Sequence, residues 1–226
     1  MSAEAPSDLP IQSFSTAQAL EVFLEREHAT APGFYLKIAK KASGIPSVSA
    51  PQAVETALCF GWIDGRANAF DKDWWLVRYT PRRARSIWSQ KNVNTVNRLV
   101  ENGRMRPAGL LEVEAAKADG RWERAYAGPA TMKIPLDFQA ALAAVPNAAA
   151  FFETLNKTNR YSVLWRVQTT SVRSRGKRIE TLVQMLAEKR LPTALTGAKR
   201  KQEADDGETR TNTKKISKTH PSFTAN

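Results

Sequence analysis

The chain is poor in the residues that most often carry chemistry. It has one cysteine, Cys59, and two histidines, His28 and His220. A lone cysteine excludes an internal disulfide, and so few Cys and His side chains exclude a Cys/His zinc site. No apolar run approaches the ~20 residues that span a bilayer. The first residues, Met-Ser-Ala-Glu-Ala-Pro-Ser-Asp, lack a basic stretch followed by an apolar one, so no secretory leader is expected and a cytoplasmic protein is the default. Also missing are the glycine-rich phosphate loop, the G-x-G-x-x-G dinucleotide turn and the G-x-S-x-G nucleophile elbow. No cofactor or metal is expected, and no residue is assigned a catalytic role.

Acidic residues are scarce in two places. The 226 residues carry 34 Lys+Arg against 22 Asp+Glu, a net charge of +12. Trp74–Val100 has six basic residues and no acidic one, and Lys157–Arg178 has seven and none. The segment from Thr196 onward adds +3, so the remainder of the chain sums to −4. The protein reads as a mildly acidic scaffold with two concentrated basic segments and a basic tail. That distribution points to an anionic ligand or polyanion as partner.

The apolar pattern predicts an α+β fold. Residues 1–13, with Pro6 and Pro10, read as a flexible leader. Ser15 and Gln18 have capping-box spacing for a first helix that buries Leu20, Phe23 and Leu24, with Phe14 as its staple. Phe34–Ala39 alternates as a strand. Ser49 and Gln52 repeat the capping-box spacing before a helix through Val54, Ala57 and Leu58. Asp64-Gly65 is a turn signal, and the strands Arg66–Phe70 and Trp74–Tyr79 read as a hairpin. A small antiparallel sheet of about three strands with helices on one face accounts for these pieces. From Ser89 the pattern is helical. Val93, Val96 and Val100 form one face, and Leu110, Leu111 and Val113 form another. The α+β part is expected over 14–128 and an all-helical part packed on it over 129–195. In the helical part Leu136, Phe138, Leu142 and Val145 belong to one helix, closed by Pro146, and Asn147 caps the next. Ile179, Leu182, Val183 and Leu186 repeat at i, i+3, i+4 and i+7 in the last helix. Residues 196–226 have no apolar period and read as a disordered basic tail. Its clusters Lys199-Arg200-Lys201 and Lys214-Lys215-Ile216-Ser217-Lys218 have bipartite nuclear-import spacing, relevant only in a cell with a nucleus.

Some conspicuous residues have plain structural roles. His28, after Glu25-Arg26-Glu27, reads as a helix C-terminal residue. Cys59, in Leu58-Cys59-Phe60-Gly61-Trp62, reads as a buried small hydrophobe.

The first basic segment offers a candidate site. Arg guanidinium groups bind phosphate or carboxylate and stack on aromatic faces. Asp64, Arg66, Arg78, Arg82, Arg83 and Trp88 are the candidate lining of an anion-accepting cleft. Arg82 and Arg83 would hold the anion and Trp88 would offer a stacking face. The alternative is that Trp74, Trp75 and Trp88 are core residues and the arginines are solvated or paired with Glu101, Glu112 and Glu114. In the second segment Arg160, Arg166, Arg173, Arg175 and Arg178 are the candidates, and nucleic acid is an alternative partner for both segments. A third reading makes Asp64 the acid or base of an enzyme acting on a phosphorylated or acidic small molecule.

Several motifs together resemble the YdeI/OmpD-associated family. They are Ile38-Ala39-Lys40-Lys41 with Ser43-Gly44-Ile45-Pro46-Ser47-Val48, Glu55–Gly65, Tyr79-Thr80-Pro81-Arg82-Arg83 through Trp88-Ser89, Asn102–Gly109, Asp119-Gly120-Arg121-Trp122 and Asn159-Arg160-Tyr161 followed by the basic last helix. Such proteins are described as bacteriocin-protection or outer-membrane-porin-associated. The resemblance spans about residues 14–190. It implies a role in antimicrobial-peptide or stress tolerance and brings no catalytic residues with it; a non-enzymatic cytosolic binding or stress-protection protein is the expected function. Porin association would require an envelope location, which the missing secretory leader does not suggest.

Overall fold

A computed structural model describes residues 6–192. The expected basic tail therefore lies outside the described residues. Among the described residues the strands and α-helices follow in this order: β1 (Ile11–Ser13), α1 (Ala17–Glu27), β2 (Phe34–Ala39), α2 (Ala50–Cys59), β3 (Trp62–Ala69), β4 (Trp74–Pro81), α3 (Gln90–Glu101), α4 (Pro107–Ala118), α5 (Leu136–Ala143), α6 (Pro146–Glu153), α7 (Lys157–Thr169) and α8 (Val172–Ala187).

The fold is α+β, with a sheet and helices in the N-terminal part and helices alone in the C-terminal part. The sheet has four strands in the order β1-β2-β4-β3, one more than the sequence suggests. The extra strand comes from the end of the expected leader: Ile11–Ser13 runs parallel to β2, with Ile11 opposite Tyr35. A three-residue strand is too short to show period-two alternation, so sequence reading misses it. Strand β2 falls where expected, and its burial alternates residue by residue.

The hairpin starts earlier than expected. Asp64-Gly65 is no turn but part of β3, which pairs Trp62 with Pro81 and Asp64 with Tyr79. The register shifts between Asp64 and Ala67, where Gly65 and Arg66 face Arg78 alone. That is a bulge, one extra residue in one strand. Asp-Gly favours turns, but a bulge also suits a small flexible residue.

The helices keep most of their predicted signals. Ser49 and Gln52 form a capping box at α2. Thr16, one residue after the expected Ser15, caps α1 by accepting from the Ala19 amide at 3.1 Å. Pro146 opens α6 rather than closing α5, and Asn147 is already inside α6 behind the Val145 cap. His28 ends α1, with Nδ1 2.8 Å from the Leu24 carbonyl.

Two apolar clusters form. The first joins α1, α2, α3, α4 and one face of the sheet through Leu20, Leu24, Phe34, Leu36, Trp62, Tyr79, Trp88 and Val96. The second joins α5 to α8 through Phe138, Leu142, Phe152, Val163, Val167, Ile179 and Leu182. Four residues expected inside are exposed: Val100, Leu110, Leu111 and Leu136. On α3 the buried apolar residues are Val93, Val96 and Leu99, so the stripe runs through Leu99 and turns Val100 outward. On α4 they are Val113 and Ala116, beside the buried Gly109.

Candidate functional site

Three of the six first-segment candidates come together. Asp64 lies opposite Tyr79, whose ring stacks on Phe34 in the core. Residues directly opposite in an antiparallel pair share a face, so Asp64 projects from the core-facing side of β3. Arg82 follows β4 and donates its backbone N–H to the Gly61 carbonyl at 3.0 Å. Its side chain is buried, 6 % exposed, with the guanidinium carbon 3.6 Å from the centre of the Trp88 ring. Trp88 is 1 % exposed and also meets Trp122 edge-on at 4.9 Å.

The other three lie elsewhere. Arg78 neighbours Tyr79 in β4 and therefore points to the opposite face of the sheet. There it packs on Tyr35, donates to the Tyr35 hydroxyl at 3.0 Å and pairs with Asp8. Arg66 and Arg83 are exposed. Arg83 sits in a turn where its amide donates to the Ser86 hydroxyl at 3.0 Å. Arg82 and Arg83 therefore do not act as a pair. Glu101 and Glu112 form no ion pair with the described arginines; their partners include Glu55 for Arg98 and Arg104, Glu21 and Glu25 for Arg106, and Asp119 for Arg121.

Other residues shape the site. Arg121, 8 % exposed, donates from Nε to Asp119 and from Nη1 to the Ser86 carbonyl at 2.9 Å. Arg82 Nη2 donates to the Ile87 carbonyl at 2.9 Å. Two buried arginines thus hold the loop between β4 and α3 by its carbonyls. Tyr126 bridges the halves: its amide donates to the Trp88 carbonyl, its carbonyl accepts from Gln90, and its ring meets Trp165 of α7 at 5.9 Å. The Gln168 side chain fixes the same segment through Ala125 and Ala127. Arg121 lies in the Asp-Gly-Arg-Trp motif, which could have marked it. No local signal marked Tyr126.

The electrostatics are those of charges held out of water. Burial lowers the Arg82 pKa to about 10; the neighbouring Arg121 charge acts in the same direction, against Glu112. Burial raises the Asp64 pKa, opposed by its own backbone hydrogen bond and by the Lys91 and Arg82 charges. Tyr126 is raised by burial and by the Asp64 carboxylate. Among the described residues Arg82 Nε and Nη1 and Trp88 Nε1 are buried without a hydrogen-bond partner. Cys59 is inert by comparison: burial raises its pKa to about 11.

Asp64 has a testable consequence. A carboxyl whose folded pKa is raised destabilises the fold when ionised. That penalty is absent below the ordinary value of 3.8, grows as pH rises through the raised value and is complete above it. Asp64→Asn is expected to increase urea resistance at neutral pH, with the gain vanishing in acid. Equal or lower resistance at neutral pH would show that the carboxylate is stabilised.

In the second basic segment, Arg160 donates to Glu153 at 2.8 Å and lies over the Phe152 ring. Arg175 clamps Asp137 through Nε and Nη2, at 2.5 and 2.9 Å. Arg166 donates to the Ser162 carbonyl and hydroxyl at 2.8 and 2.7 Å. Arg173 and Arg178 are exposed. Among the described residues no cluster of His, Cys, Asp and Glu could hold a metal, and no helix is long and apolar enough to cross a membrane.

Residues 131–189 match the family model described as "Bacteriocin-protection, YdeI or OmpD-Associated". Residues 12–112 match "Domain of unknown function (DUF8412)". The resemblance is thus shown over the C-terminal helices, whereas the motifs quoted from Ser43 to Gly109 fall within the other match. No curated protein and no solved structure matches the chain.

Proposed function

We propose that this chain is a non-enzymatic binding protein that accepts a small oxyanion at Arg82 and acts in tolerance of antimicrobial peptides or stress. The tolerance role rests on the description of the family matched over residues 131–189. The anion role rests on one observation: Arg82 Nε and Nη1 and Trp88 Nε1 are buried without partners among the described residues. Buried N–H groups in folded proteins are nearly always hydrogen-bonded, and leaving a charged donor without a partner costs more than leaving a neutral one. An oxyanion would satisfy the guanidinium donors and neutralise its charge, while stacking on Trp88 holds the plane in position.

A thermal-shift screen of phosphate, sulfate, nucleotides, sugar phosphates and dicarboxylates against the full chain tests this. A ligand present at about 100 times its Kd stabilises by about 2.7 kcal/mol, a shift of several degrees for a domain of this size. Arg82→Met is expected to lose that response and Arg83→Ala to keep it. No stabilising anion, or an undiminished response in Arg82→Met, would refute the reading.

A further inference from the structure

Helix α8 begins with an unfavourable arrangement of charge. It has no acidic residue in its first turn and carries Arg173, Arg175, Lys177 and Arg178 in its first two. Cations near a helix N-terminus oppose the helix dipole. Arg175 is accounted for, since it clamps Asp137 and donates to the Val167 carbonyl at 2.7 Å. Arg173, Lys177 and Arg178 are exposed. They lie away from Ile179, Leu182, Val183 and Leu186, which bury the opposite side of the helix.

On that solvent side Ser174, Lys177, Arg178 and Thr181 line a surface groove of about 230 Å³. Among the described residues the lining contains two cations and no carboxylate. The Thr181 hydroxyl turns back to the Lys177 carbonyl at 2.8 Å, leaving the Ser174 hydroxyl and the two charges to face a ligand. Arg166 of α7 lies close enough that the Arg178 charge, after burial, helps lower its pKa. Arg173, Lys177 and Arg178 therefore share the exposed side of α8.

The spacing favours a repeating anion over a single ion. Residues four apart rise about 6 Å along a helix. Arg173 and Lys177 form one row at that spacing, and Ser174 and Arg178 form a parallel one. Successive phosphates of a nucleic acid strand are spaced comparably, and such contacts need no base recognition. A lipid surface fits less well. The exposed Val172 is seven residues before Ile179, on the core-facing stripe, so the cationic face has no apolar anchor beside it.

We propose that the solvent face of α8, through Arg173, Ser174, Lys177 and Arg178, docks the phosphate backbone of a nucleic acid. This surface is separate from the Arg82 site and does not depend on it.

Fluorescence anisotropy with the full chain and a labelled duplex of about 20 base pairs, at salt from about 50 to 200 mM, tests the proposal. Binding is expected at low salt and should weaken steeply as salt rises. Lys177→Ala should flatten the slope of log K against log salt by about one unit, and Arg178→Ala likewise. Reading each slope against the parent chain cancels contributions from basic residues elsewhere. Lys177→Arg should restore the parent slope, and Arg82→Met should bind as the parent does. Circular dichroism establishes that the exposed-site variants remain folded. No binding at about 50 mM salt, an unchanged slope in folded Lys177→Ala and Arg178→Ala, or tighter binding to phosphatidylglycerol vesicles than to the duplex would overturn it.

Discussion

Gly109→Ala is expected to destabilise the protein by about 1–3 kcal/mol net, although the change improves helix propensity. Alanine is about 1 kcal/mol better than glycine inside a helix. At this position its Cβ would lie 2.3 Å from the Cys59 carbonyl oxygen and 2.7 Å from that of Leu58. Both contacts are with backbone, so no side chain can rotate away. The start of α4 would have to lift from the end of α2, straining the Arg106 amide bond to the Cys59 carbonyl at 3.1 Å. Overpacking a tight contact costs about 1–3 kcal/mol, and loss of the hydrogen bond adds about 1 kcal/mol. Gly176→Ala provides the control. Gly176 lies in α8 with none of the described residues near its Cβ direction, so the same substitution should stabilise by about 0.5–1 kcal/mol. Equilibrium urea unfolding of the two variants should move in opposite directions. A Gly109→Ala variant as stable as the parent would mean that α4 can slide without loss.

Trp88→Ala should be the most damaging single change at the candidate site, costing about 3–5 kcal/mol as for other buried aromatics. It removes a fully buried ring together with the surface on which Arg82 rests, 3.6 Å away. A water-filled gap beside the guanidinium would also end the stacking that orients it. Trp88→Phe should be much milder, about 1–1.5 kcal/mol, because Trp88 Nε1 has no partner to lose. Trp62→Phe should cost more than Trp88→Phe, since Trp62 Nε1 donates to the His28 carbonyl at 3.2 Å. Chemical denaturation of the three variants checks the order. If Trp88→Phe is the costlier of the two phenylalanine substitutions, the indole N–H of Trp88 has a partner in solution, which in the anion reading is the ligand itself.

The two buried arginines show how sequence and structure divide the information. A stretch with six cations and no acid is visible at once, but its cations meet different fates. Arg82 is buried on Trp88, Arg83 is exposed one residue later, and Arg78 is turned to the other face of the sheet by strand alternation. Its partner Asp8 lies 70 residues away in sequence, beyond the reach of any local pattern. The two readings of this stretch, core tryptophans or anion cleft, are not exclusive: Trp88 is core and is also the support for an arginine with unmatched donors.

What the sequence determined by itself was local. Alternation placed β2, the capping-box spacing placed the start of α2, and the i, i+3, i+4, i+7 stripe placed the core face of α8. Each depends only on residues within a few turns of one another. Tertiary structure decided what each face meets. It enrolled Ile11–Ser13 as a strand beside β2, converted Asp64-Gly65 from a turn into a bulge, and left Leu111 and Leu136 in solvent. It also gathered Asp64, Arg82, Arg121 and Tyr126 from segments far apart in the chain. Burial is a property of neighbours brought together by the fold, and the energy of a charge depends on that burial. The number of cations could therefore be read from the chain, whereas the identity of the one held out of water required the packed structure.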